Sequence, residues 1–170
     1  MYAPGLTIRE YCMGMANVAE FFVTVEDPHG DAATRLIRNL SAELGERYGD
    51  DGSGAFSPDD MRVSGGAFVI AWLDGQPVGC GALRPLERSV GEVKRVFVEK
   101  DFRRRGVARK ILQRLETIAA QFGYRALRLE TGILQPEAVN LYKSIGYRRV
   151  RCYSHYVDNP LSVCFEKRLG

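Results

Sequence analysis

Residues Glu92 to Leu115 read EVKRVFVEKDFRRRGVARKILQRL. The stretch begins as a strand, because Val93, Val96, Phe97 and Val98 are β-branched or aromatic residues that suit a pleated, half-buried surface. It ends as a helix, in which Ile111, Leu112, Leu115, Ile118 and Ala119 recur at three- and four-residue steps and form one apolar stripe. Between them lies Arg103-Arg104-Arg105-Gly106-Val107-Ala108, a tight basic turn that opens the helix. The first N–H groups of a helix have no intrahelical partner. With the positive end of the helix dipole they favour an anion such as a phosphate or diphosphate. Gly106 lets the backbone bend and a ligand approach closely. No Gly-Lys-Ser/Thr follows, so the turn is not a P-loop, and it lacks two of the three glycines of a dinucleotide fingerprint.

Working outward, the chain alternates strand and helix signals. Residues 1–15 hold Pro4, Gly5 and Gly14 without periodicity and predict an irregular lead-in. Val18 to Val25 is a strand, Asp27 to Gly30 a turn, and Asp31 the N-cap of a helix to about Tyr48. A polar loop follows from Gly49 to Gly54, and Ser57-Pro58 signals a short helix. Ala67 to Leu73 and Val78 to Leu86 are strands joined by Asp74-Gly75-Gln76-Pro77. The helix after the basic turn ends at Gly123. Ala126 to Thr131 is a strand, Glu137 to Ile145 a helix, and Arg148 to Tyr153 with Leu161 to Lys167 a closing hairpin. This order makes an α/β protein with a mixed sheet and helices on both faces.

Composition narrows the function. The 170 residues are long enough for one domain with a real core. A net charge of +3 is mild, and the basic clusters at 94–95, 103–105, 109–110 and 148–151 are interspersed with acidic residues. That pattern fits a small anionic ligand better than a nucleic acid. No apolar run is long enough for a membrane span and no secretory signal is evident, so a cytoplasmic protein without a membrane partner is expected. Cys12, Cys80, Cys152 and Cys164 lack metal-ligand spacing. Cys80, Cys152 and Cys164 sit in strand-like runs and read as buried free thiols in a reducing cytosol.

The basic turn resembles the diphosphate-binding motif of the GNAT superfamily, the acetyl-CoA-dependent N-acetyltransferases. That motif is Gln or Arg, two residues, Gly, one residue, then Gly or Ala, and Arg103, Gly106 and Ala108 fill it. The resemblance continues at Ala138-Val139-Asn140-Leu141-Tyr142 and Gly146-Tyr147, where the superfamily carries an Ala, two residues and Leu-Tyr on the helix after the fifth strand. Asn often stands three residues before that Ala, whereas this chain has Gln135. The motifs cover 92–147 and imply a single GNAT domain over 1–170. The implied sheet is mixed, mostly antiparallel and twisted, of about seven strands with helices on both faces. Its fourth and fifth strands splay apart around the pantetheine arm.

The resemblance also implies the chemistry. Acyl transfer from a thioester to an amine requires that the amine lose a proton, the oxyanion find donors and the thiolate gain a proton. A bulge in the fourth strand would free backbone groups at Val96, Phe97 and Val98. Arg103, Arg104, Arg105, Gly106, Val107, Ala108 and Arg109 would hold the diphosphate of acetyl-CoA. Tyr142 is the implied general acid, since a phenol keeps its proton at neutral pH; its other reading is a packing aromatic. Glu92, six residues before Val98, is the implied base, with Glu130 or water as alternatives. His29 and His155 read as loop residues. Lys94 or Arg95, if turned to the cleft, would suit a substrate carboxylate.

The expected activity is direct ternary-complex transfer to a primary amine of a small molecule. No metal is implied, and no Cys, Ser or Lys stands beside an evident base to suggest a covalent enzyme intermediate. Alternatives are a CoA-binding sensor without turnover, or acetylation of a protein lysine or N-terminus. A homodimer stays open.

Overall fold

The computed structural model describes residues 19–170; the lead-in, Val18 and Cys12 lie outside them. The described elements are β1 (Phe21–Val25), α1 (Asp31–Tyr48), β2 (Ala67–Leu73), β3 (Gln76–Glu87), β4 (Val90–Val98), α2 (Val107–Gln121), β5 (Ala126–Gly132), α3 (Pro136–Ser144), β6 (Arg148–Val150) and β7 (Ser162–Arg168). The seven strands lie in the order β1-β2-β3-β4-β5-β7-β6, and only the β4–β5 pair is parallel. The expected sheet is therefore present. The N-cap of α1 is Gly30 rather than Asp31, which instead occupies the first turn, where its charge complements the dipole. Ser57 caps the 3-10 turn Pro58–Met61 in a capping box with Asp60.

Two apolar clusters sit on opposite faces of the sheet. On one, Ile111, Leu112 and Leu115 of α2 and Tyr142 of α3 pack on Val69, Val78, Leu83, Leu127, Leu129 and Phe165. A side chain at Gly81 would meet Ile111 at 2.7 Å and Leu115 at 3.0 Å, so the missing side chain lets α2 lie close against β3. On the other face, Ala33, Leu36 and Leu40 of α1 pack with Met61 on Phe68, Ile70, Cys80, Ala82 and Phe97. At the β1–β2 edge, Trp72, the sole tryptophan, stacks with Phe22 at 6.4 Å and donates Nε1–H to Thr24 Oγ1 at 2.8 Å.

The free-thiol reading holds for Cys80 and fails for Cys152 and Cys164. Cys80 is free and buried, and desolvation pushes its thiol up to about 12. Cys152 and Cys164 instead form a disulfide, with Cα atoms 5.1 Å apart. The strand expected to reach Tyr153 stops at Val150, which pairs with Cys164 across β6–β7. Two residues later the chain crosses back to reach that same cysteine. The correction removes the support that free thiols lent to a reducing location. The bond closes a ring over a 12-residue separation, and a ring of that size stabilises by about 3 kcal/mol through the unfolded chain. Cys152→Ser should therefore lower the melting temperature of the oxidised protein to that of the reduced wild type. Equal midpoints for oxidised wild type and variant would show that the bond does not form.

Candidate active site

β4 and β5 are paired only from Val90↔Ala126 to Val93↔Leu129. Beyond that point β4 continues along β3 and β5 along β7, so the two strands part. On β4 the register against β3 slips between Cys80↔Phe97 and Ala82↔Lys94, which sets Arg95 and Val96 opposite the single residue Gly81. This is a β-bulge, and Arg95 takes a positive φ of 55° to make it. The expected splay is present, and the bulge centres on Arg95 and Val96, so that of Val96, Phe97 and Val98 only Val96 lies within it.

A cavity of about 500 Å³ opens at the parting. Its walls come from Leu40, Leu44 and Tyr48 of α1, Lys94 to Val96 of β4, and Glu130 to Gly132 of β5. Tyr142 of α3 closes one side, and the segment between β6 and β7 supplies His155, Tyr156, Asn159 and Leu161. Tyr142 is buried, with its ring centroid 5.9 Å from those of Tyr147 and Phe165. Burial, then the charge of Glu130, pushes its phenol well above the ordinary tyrosine value. The hydroxyl therefore keeps its proton throughout the neutral range.

The two glutamates have different surroundings. Glu130 faces the cavity and accepts a hydrogen bond from Ser162 Oγ at 2.6 Å. Desolvation raises its carboxyl above the usual range, while the Ser162 bond and Lys94 pull it back. Glu92 is 1% exposed and does not line the cavity. Its Oε2 accepts from Arg84 Nε at 2.8 Å and its Oε1 from Tyr153 at 3.1 Å, while Arg84 also pairs with Asp60 at 2.7 Å. Glu92 thus ties β3, the turn at Asp60 and the Tyr153 segment together.

The basic turn lies at the end of β4. Gly106 caps α2 at φ 78°, no side chain caps that helix, and the space around Gly106 is open to 4 Å. Arg104 also has a positive φ, of 60°. Arg104, Arg105 and Arg109 are exposed, and Arg109 donates to Ser144 Oγ at 3.1 Å, which joins the start of α2 to the end of α3. Arg103 turns inward. It donates Nε–H to the Val98 carbonyl at 2.9 Å and pairs with Glu43 of α1 at 2.6 Å. Its guanidinium is held by a carboxylate, whereas among the described residues Arg104, Arg105 and Arg109 have no carboxylate within 4.0 Å.

The structure brings Val96, Tyr142 and Glu130 to one cavity. Phe97 is buried against the α1 cluster and Val98 against the α2 cluster. Sequence reading missed the Tyr153–Ser162 segment, although its run of Tyr153, His155 and Tyr156 was a signal of a packed wall. His155 packs at a tilt on Tyr156 with ring centroids 4.0 Å apart, whereas His29 pairs with Asp59 at 2.8 Å. Among the described residues no three His, Cys, Asp or Glu side chains gather as a metal site.

A family model described as the acetyltransferase (GNAT) family matches residues 20–147. The IAA acetyltransferase of Azospirillum brasilense is 34% identical over 145 residues, which is 85% of this chain and 95% of that protein. The N-acetylaspartate synthetase of Rattus norvegicus is 33% identical over 110 residues, 64% of this chain but only 37% of that protein. Among solved structures, a Klebsiella pneumoniae protein described as an acyl-CoA N-acyltransferase superposes with a TM-score of 0.75 at 31% identity, covering 88% of this chain and 98% of that one.

Proposed function

The chain belongs to the GNAT acetyltransferase family, and from that premise we propose that it moves the acetyl group of acetyl-CoA to a primary amine of a small molecule, as one domain. The observation that carries the reading is the parting of β4 and β5, with Tyr142 and Glu130 in the cavity it opens. The uncapped start of α2 supports a diphosphate site, because its amides and the open space at Gly106 suit an anion. Arg104, Arg105 and Arg109 would add charge there, and Arg103 would hold the turn against α1 and β4. The similarity to an acyl-CoA N-acyltransferase supports a CoA thioester as donor. The relative that makes N-acetylaspartate supports a compact amine as acceptor.

In this reading Glu130 takes the ammonium proton, directly or through water, and the freed nitrogen attacks the thioester carbonyl. The C–N bond forms as the C–S bond breaks, Tyr142 gives its proton to the departing sulfur, and the second proton of the attacking nitrogen returns to the Tyr142 phenolate, directly or through water. The products are an amide and a thiol. Glu92 anchors the surrounding loops instead of acting as the base. Among the described residues no helix is long and apolar enough to cross a membrane.

The test is a panel of amines with acetyl-CoA, followed by thiol release. Turnover with none of them, alongside intact CoA binding, would favour a non-catalytic CoA sensor. Glu130→Gln gives a second test. A base acts only when deprotonated, so its raised pKa should place the acid limb of the rate profile above the ordinary glutamate range. The variant should lose that limb and about 10²-fold in kcat. An unchanged profile would leave water as the proton acceptor.

A further inference from the structure

Proton transfer to and from the reacting atoms makes no use of Lys94 and Arg95, yet both line the cavity. Successive strand residues ordinarily point to opposite faces. The bulge with Arg95 at φ 55° breaks that alternation and gives the cavity two neighbouring cations. Arg47, Arg84, Arg103, Arg128 and Lys167 all have carboxylate partners. Among the described residues, Lys94 and Arg95 have none within 4.0 Å.

Their other contacts position them without neutralising them. Arg95 is 9% exposed and stacks on Phe56 at 4.7 Å. Its Nη2 donates to the Gly52 carbonyl at 2.6 Å and its Nη1 to that of Asp51 at 3.4 Å, while its buried Nε–H has no partner. Lys94 Nζ donates to the Tyr156 hydroxyl at 2.5 Å. Burial lowers the Lys94 pKa, with Glu92 and Glu130 opposing and Arg84 and Arg95 reinforcing the shift. A buried cation without an anion is costly, and a buried donor without an acceptor adds to the cost. An incoming carboxylate would relieve both.

We propose that Lys94 and Arg95 form a carboxylate subsite, and that the acceptor is an amino acid-type molecule bound by its carboxylate there, with its amine toward Glu130. The charge layout matches such a zwitterion, with cations on the β4 wall and an acid on the β5 wall. The amine half of this inference rests on the acetyl-transfer reading. The carboxylate half does not.

The test separates the two. Calorimetric titration of the CoA-saturated protein would use the standard L-amino acids, β-alanine and γ-aminobutyrate, each beside its carboxamide. At least one acid should bind, its carboxamide should not, and Lys94→Met should weaken the acid by about ten- to a hundredfold. Lys94→Arg, which keeps the charge, should recover part of that loss, and unchanged CoA affinity in both variants would show that they fold. The subsite is overturned if no acid binds, if acids and carboxamides bind alike, or if Lys94→Met binds as the wild type does. Thiol release followed in parallel distinguishes the two readings. Carboxylate-dependent binding without release keeps the subsite and removes acetyl transfer. Release with carboxamides as fast as with acids keeps the transfer and removes the subsite.

Discussion

Tyr142→Phe is expected to lower kcat by about 10²–10⁴-fold, the usual worth of a positioned general acid. The substitution removes one hydroxyl and keeps the ring that packs against Tyr147 and Phe165. Tyr142 lines the cavity where sulfur would leave. The elevated phenol pKa ensures that the proton is present when needed. Because it matters only as the C–S bond breaks, the loss should fall on kcat and spare the KM for acetyl-CoA. A folded variant with near wild-type kcat would make Tyr142 a packing residue and leave water as the donor.

Gly106→Asp should weaken CoA binding by about 10²-fold or more, since each lost hydrogen bond to a charged group is worth about 1.5–3 kcal/mol. A side chain there meets nothing within 4 Å, so the substitution does not disturb packing. The carboxylate would sit where a helix N-cap side chain sits and accept from the first amides of α2 itself. It would then fill the anion's place with a negative charge. Gly106→Asn is the control, because it carries the same strain at φ 78° and caps similarly without the charge. Calorimetry should rank wild type, then Asn, then Asp. Equal affinity for all three would move the diphosphate elsewhere.

What could be read from the chain alone was local. The strand, turn and helix around Gly106 follow from the spacing of Val93 to Val98 and Ile111 to Ala119, and the structure has them at Val90–Val98 and Val107–Gln121. Tyr142 reaches the cavity because its spacing from Ala138 fixes its helix face. Long-range partners were out of reach. Arg103 looked like its neighbours, but Glu43, 60 residues away, takes its guanidinium inward. The strand position of Glu92 suits a base, and only the structure shows that Arg84 and Tyr153 occupy both its oxygens. The Cys152–Cys164 bond depends on the β6–β7 register, which no periodicity encodes. The inward turn of both Lys94 and Arg95 depends on a bulge that only the pairing with β3 reveals.

The position of Trp72 has a practical consequence. It sits on the β1–β2 edge, and β3 separates it from the parted strands. Intrinsic fluorescence excited at the indole band will therefore report whether that edge of the sheet is intact and stay silent when a ligand enters the cavity. Each substitution at Gly106, Lys94, Glu130 or Tyr142 can be judged by that emission before its kinetics are read. A lost activity with an unshifted spectrum belongs to the chemistry, and one with a red-shifted spectrum belongs to the sheet.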